Sequence, residues 1–89
     1  MNRADILAEA SDLTCGARDD VYGSPQPNHE RIAAGWRVIL SNADLTPTQV
    51  ALCMAWVKIA RLVQTDDHLD SFVDGAAYMA IAGELATTP

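Results

Sequence analysis

Apolar residues recur at helical spacing in four segments of this chain, and no stretch alternates with the period of two that marks a strand. The first segment covers residues 3–15, and Gly16 stops it. A loop follows from residue 17 to 27, and its two prolines keep the residues before them extended. Asn28 is then a good N-cap for a second helix that runs to about Leu40.

The third and fourth segments also carry helix start signals. Residues 46–49 combine an N-cap Thr, a Pro at the first helical position and a Gln at the capping-box position, which predicts a third helix over 47–64. Residues 65–67 (Thr-Asp-Asp) cap a fourth helix that runs to about Ala86. The pattern predicts one all-α domain over residues 1–89, a compact four-helix arrangement.

The third helix is apolar on every side from Val50 to Val57, which is typical of a helix buried among several others. Cys53 in this helix is interpreted as a small buried hydrophobe. Trp56 in the same helix and Trp36 in the second helix are interpreted as core residues. At 89 residues a lone core is barely sufficient, so we expect oligomerisation to complete it, as a homodimer or homotetramer.

Charge and hydropathy limit the classes of partner. A net charge of −6 argues against a nucleic acid polymer. The longest uncharged stretch, residues 45–57, is too short to span a membrane. Unpaired cysteines and the lack of a signal peptide favour the cytoplasm, which is the host cytoplasm for a phage-encoded chain.

Acidic residues are concentrated, without basic neighbours, in the last third of the chain. From residue 62 to 89 there are five acids and no Lys or Arg. Asp70, Asp74 and Tyr78 lie four apart and form one stripe. A divalent cation would cancel the repulsion between the two carboxylates, and oxygen ligands suit Mg²⁺ or Mn²⁺. The alternative is that Asp70 is only a first-turn acid favoured by the helix dipole, which leaves Asp74 unexplained.

The third helix holds the complementary charges, Lys58 and Arg61, on one face. They could bind phosphates. Alternatively, they could interact favourably with the helix dipole near the C-terminus and pair with Asp66 or Asp67. In the second helix Glu30 is either a first-turn acid or a residue within reach of a site between helices.

These motifs resemble a known family. Residues 70–78 (Asp-Ser-Phe-Val-Asp-Gly-Ala-Ala-Tyr) are similar to the acidic helix of MazG-like, all-α nucleoside-triphosphate pyrophosphohydrolases. The dipeptide Tyr22-Gly23 and the pair Lys58 and Arg61 also look like features of short phage members. Within that group the chain looks most like a phage enzyme that hydrolyses (d)GTP to (d)GMP and pyrophosphate for the synthesis of 2-aminoadenine DNA. The usual Glu-Glu-x-x-Glu helix is absent, since residues 55–61 hold no acid, and Glu30 is our candidate for the missing ligand.

The resemblance implies that two or more Mg²⁺ or Mn²⁺ ions bind a triphosphate and activate a water for attack on the α-phosphorus. Its implied metal ligands are Glu30, Asp70 and Asp74. Lys58 and Arg61 would be the catalytic residues, because they would neutralise charge on the leaving pyrophosphate. The substrate-binding residues would be Tyr22, Asn28, His29, Lys58, Arg61 and Tyr78. Two alternatives stay open: a phage helical interaction protein that binds no metal, and a nucleotide sensor without turnover.

Overall fold

The computed structural model describes residues 1–16 and 24–89, which form four helices and no strand. The helices are α1 (Arg3–Cys15), α2 (Pro25–Ile39), α3 (Pro47–Gln64) and α4 (Leu69–Thr87). The prediction of a compact all-α arrangement is therefore confirmed. Within these ranges no helix is both long enough and apolar enough to cross a membrane.

The antiparallel hairpin of α3 and α4 is the centre of the fold. α1 packs against α4, and α2 packs against α3. α4 lies close to α3 at Gly75, where an added Cβ would be in ordinary van der Waals contact with the Cβ of Lys58, at 3.7 Å. One buried cluster (Ala10, Val73 and Ala77) joins α1 to α4, and another (Ala33, Leu45 and Val50) joins α2 to α3.

The start of α3 is fixed by the capping box that residues 46–49 predict. The Gln49 N–H donates to Thr46 Oγ1 at 3.2 Å, and the Thr46 N–H donates to Gln49 Oε1 at 2.9 Å. Two backbone donors that the helix cannot satisfy itself thus find partners. Pro47 occupies the first turn, where a missing N–H costs nothing.

We expect Thr46→Ala to lower the free energy of unfolding by about 1 kcal/mol, because it removes the acceptor for the Gln49 N–H. Thr48→Ala is the matched control, since it deletes the same atoms inside the first turn of α3 without touching the capping box. Urea denaturation of the two variants checks this. Equal losses from both would show that the cap bond contributes nothing specific.

Two of the predicted helix starts are wrong. α2 begins at Pro25, with Ser24 as N-cap, so Asn28 lies inside the helix and does not cap it. Prolines at the first helical positions are compatible with a helix, since their missing donors would have no intrahelical partner. α4 begins at Leu69 with His68 as N-cap, whereas residues 65–67 form the turn that ends α3.

The predicted burial of α3 is correct on one side only. Val50, Ala51 and Ala55 are buried, whereas Cys53 is exposed and Trp56 is 68% exposed. The interpretations of Cys53 and Trp56 as core residues are therefore wrong for the single chain. The physical reason is that α2 and α4 cover only part of the circumference of α3.

Candidate functional site

A cavity of about 450 Å³ lies among the four helices. Its lining includes five of the residues that the sequence singles out: Asn28, His29, Lys58, Asp74 and Tyr78. They come from α2, α3 and α4, so no stretch of sequence shows that they meet. The volume lies within the range of pockets that bind small molecules.

The charged part of the cavity wall is an ion pair between α3 and α4. Lys58 Nζ lies 3.2 Å from Asp74 Oδ2, and the two side chains are 12% and 32% exposed. Lys58 therefore pairs with Asp74, and the alternative partners Asp66 and Asp67 lie in the turn beyond. Pairing also explains how an apolar part of α4 accommodates Asp74, since a half-buried carboxylate needs a cation or donors.

His29 forms a polar wall of the same cavity and is only 3% exposed. Its Nδ1 lies 2.9 Å from the carbonyl oxygen of Pro25, one turn earlier in α2. A carbonyl only accepts, so Nδ1 carries the hydrogen and, in the neutral ring, Nε2 is an acceptor. Nε2 is buried and has no hydrogen-bond partner among the described residues. The Tyr78 ring meets the His29 ring edge-on, with centroids 6.5 Å apart.

The rest of the cavity wall is mainly apolar, and sequence reasoning missed its role. Leu13, Ile32, Trp36, Met54 and Ile81 contribute. Trp36, predicted to be a core residue, packs against the α2–α3 cluster and also lines the cavity. The available signal was the spacing of residues 29, 32 and 36, which places Ile32 and Trp36 on the same face of α2 as His29.

Arg61 and Asp70 lie beside the cavity and do not line it. Arg61 is one turn after Lys58 in α3, and Asp70 is one turn before Asp74 in α4. Because the two helices are antiparallel, both residues extend the Lys58–Asp74 pair towards the turn at 65–68. Both are exposed. The charged strip thus runs from the cavity to the solvent.

Two other predicted site residues are not brought into this cavity. Glu30 is exposed and accepts a long hydrogen bond, at 3.4 Å, from Gln26 Nε2. Tyr22 lies outside the described residues. Across residues 1–16 and 24–89 no three His, Cys, Asp or Glu side chains lie close enough together to hold a metal ion. The implied three-acid ligand set is therefore not assembled within the described part of one copy.

This arrangement is that of a small all-α domain with a mixed apolar and charged cavity between its helices. The chain belongs to the family of the domain of unknown function DUF6378, whose model matches residues 5–86. The match covers the four helices except for residues 3, 4 and 87, and it includes every described residue that lines the cavity.

Relatives of this chain are encoded by mycobacteriophages. The Gene 55 protein of Mycobacterium phage L5 is 38% identical over 76 residues, which are 85% of this chain and 49% of that protein. The Gene 55 protein of Mycobacterium phage D29 is 36% identical over 84 residues, which are 94% of this chain and 55% of that protein. The chain thus spans about half the length of these relatives. No solved structure matches it.

Proposed function

We propose that this chain is a metal-dependent nucleoside-triphosphate pyrophosphohydrolase of the host cytoplasm that converts a (d)GTP-like substrate to the monophosphate and pyrophosphate. The observation that carries the proposal is the cavity in which Lys58 and Asp74 form an ion pair beside His29 and Tyr78. A nucleoside triphosphate needs both an apolar, aromatic space for its base and fixed charges for its phosphates. The cavity and its charged strip offer both.

The phosphate end is assigned to the charged strip. Lys58 is a compact point charge with three donors, and Arg61 offers a planar fork that suits phosphate oxygens. In the single chain Lys58 stabilises Asp74. If a divalent cation were the counter-charge of Asp74, Lys58 Nζ would be released from the ion pair and could donate to a phosphate oxygen. Lys58 and Arg61 then neutralise charge that develops on the leaving pyrophosphate.

The donor set fits Mg²⁺ or Mn²⁺ in one particular mode. Mg²⁺ is usually bound by one or two carboxylates together with substrate phosphates and waters, so it does not need an all-protein cage. Asp74 and Asp70 would hold it in this way, and when bound it would lower the pKa of a water and neutralise phosphate charge. The remaining implied ligand, Glu30, is one helix away and exposed. It belongs to the proposal on the resemblance to MazG-like enzymes alone.

The base end is assigned to the aromatic part of the cavity. Trp36 and Tyr78 provide flat apolar surfaces, and His29 Nε2 provides a buried acceptor without a partner among the described residues. A buried polar atom in this state costs free energy, which a ligand N–H would recover. Guanine carries such donors, and its choice over other bases rests on the family resemblance.

A pair of His29 variants tests the acceptor. His29→Asn keeps a donor near the Nδ1 position, and so keeps the bond to the Pro25 carbonyl, but has nothing at the Nε2 position. His29→Gln reaches the Nε2 position with an amide oxygen. We expect the Asn variant to raise KM for dGTP about 10-fold, which corresponds to roughly 1.4 kcal/mol, and the Gln variant to raise it less. Equal KM values for both variants would show that Nε2 accepts nothing from the substrate.

A helical interaction protein is the second candidate, and it is favoured by the many exposed large apolar residues, such as Trp56 and Val63. The two candidates differ in their response to divalent cations. An enzyme that binds Mg²⁺ in its folded state gains thermal stability from it, whereas a pure interaction protein gains none. The comparison of melting temperatures with Mg²⁺ and with EDTA separates them.

A further inference from the structure

The α3–α4 hairpin leaves one apolar side uncovered, which we call the outer face. From α3 it comprises Leu52, Trp56, Ile59 and Val63. From α4 it comprises the exposed residues Leu69, Phe72, Met79 and Gly83, with the partly buried Ala76 at its border with the α1–α4 cluster. Exposure is high for a single chain: it reaches 68% at Trp56, 85% at Val63 and 54% at Met79. Monomeric proteins rarely expose a contiguous apolar patch of this kind.

The two rows of the outer face lie on the same side of the hairpin. Each helical residue advances by about 100°, so the α3 row is roughly opposite the cavity residues Met54 and Lys58. By the same rotation the α4 row is roughly opposite Asp74 and Tyr78. Both rows therefore face away from the cavity. α1 and α2 pack elsewhere on the hairpin, through the clusters around Val73 and Val50.

We propose that the outer face binds the outer face of a second copy, so that two α3–α4 hairpins form a four-helix bundle at the centre of a homodimer. The spacing along each row supports this. Steps of three and four residues alternate in both rows (52, 56, 59, 63 and 69, 72, 76, 79, 83), which is the repeat of helices that pack side by side in bundles.

Charge and area also favour a second copy as the partner. The outer face holds no charged residue although the chain has a net charge of −6, so two copies can approach here without placing acid against acid. An 18-residue helix is about 27 Å long, and two helices side by side are about 20 Å wide. The outer face therefore has a flat area of roughly 500 Å², to which the protruding side chains add accessible surface. That is the order of the ~800 Å² per partner of a stable interface.

Side-chain size favours one orientation of the dimer. The contact of Lys58 with Gly75 shows that residue 58 of α3 is level with residue 75 of α4. Rotation about a two-fold axis parallel to the helices does not shift residues along the helix axis, so residue 58 stays at the height of residue 75 in both copies. This rotation packs α3 against α4 of the partner subunit. Trp56 is then level with the partner's Ala76, and Leu52 lies near the partner's Gly83. In this half of the interface large α3 residues thus meet small α4 residues, whereas in the other half Ile59 lies near the partner's Phe72.

The oligomeric state of the 89-residue chain is the first test. Sedimentation or light scattering should return twice the 9.6 kDa chain mass at micromolar concentration. Trp56→Glu should return 9.6 kDa with unchanged helix content, because Trp56 is exposed in the single chain and supports nothing there. Val38→Glu, at a residue that is 79% exposed near the end of α2, should remain a dimer. A monomeric wild type, or a dimeric Trp56→Glu, would overturn the interface.

Paired charges test the orientation. Ile59→Lys and Phe72→Glu should each be monomeric, because both put a charge into the interface at residues that are 48% and 44% exposed in one chain. An equimolar mixture should recover dimers, since α3 of one chain then faces α4 of the other. Recovery on mixing Ile59→Lys with Ile59→Glu instead would show that α3 faces α3, against the proposal. Neither result depends on whether the chain hydrolyses nucleotides.

Discussion

Asp74→Asn is expected to lower the rate of triphosphate hydrolysis by about 100-fold or more while the four helices stay intact, a loss on the scale of removing one group that stabilises transition-state charge. The volume of the side chain is unchanged, and the amide oxygen of the introduced asparagine can still accept from Lys58. What disappears is the negative charge that, in the proposed mechanism, would attract a divalent cation to the cavity. Mg²⁺ at about 100 times its Kd should stabilise the wild type by about 2.7 kcal/mol and the variant by much less.

Two variants show whether the effect belongs to the cavity. Asp66→Asn makes the same chemical change in the exposed turn between α3 and α4, and it should hydrolyse and melt like the wild type. Asp70→Asn, one turn from Asp74, should resemble Asp74→Asn. Normal turnover by Asp74→Asn would remove the metal assignment, and loss in Asp66→Asn as well would indicate a general charge effect.

The helices were predictable from sequence where local chemistry fixes them. The third helix begins as predicted because Thr46 and Gln49 form a capping box that is readable in four residues. The start of α2 could not be predicted in this way, because Asn28 is a good N-cap in isolation and yet the chain is already helical at Pro25. Competing caps of similar strength cannot be ranked without the packing of the helix that follows.

Burial was predicted less well, because it depends on what packs against a helix. The apolar circumference of α3 correctly indicated several neighbours, but it could not say that α2 and α4 leave Trp56 uncovered in one copy. The proposed dimer interface gives that residue a partner. The uniform hydrophobicity of α3 then has two causes, an inner side for its own chain and an outer side for a second one.

The site could be anticipated by residue type and only partly by position. Asp74 and Lys58 stand out because a charge within an apolar helix needs a partner, and the structure pairs them with each other. Glu30 and His29 are adjacent in sequence, so helical rotation by about 100° turns one to the solvent and the other to the cavity. Only the packing of α2 decides which of the two is buried.

Hydrolysis of dGTP is expected to give dGMP and pyrophosphate in one step, without free dGDP. Lys58 in the cavity and Arg61 at its edge would place fixed cations along the phosphate chain of the proposed substrate, where they would match charge on a departing pyrophosphate better than on a single orthophosphate. Chromatography of products from all eight NTPs and dNTPs, with Mg²⁺ and with Mn²⁺, measures both the cleavage site and the base preference.

A variant of Arg61 tests whether this side chain stabilises the departing pyrophosphate. Since the proposed contact of Arg61 would strengthen as charge builds on the leaving group, Arg61→Ala should lower kcat more than it raises KM. Arg31→Ala removes an equally exposed cation from α2, whose charge is not on the strip, and should change neither constant. A rise in KM alone would make Arg61 a binding residue that does not act in the transition state. Orthophosphate released before any pyrophosphatase is added would contradict cleavage between the α and β phosphates, even in an active protein.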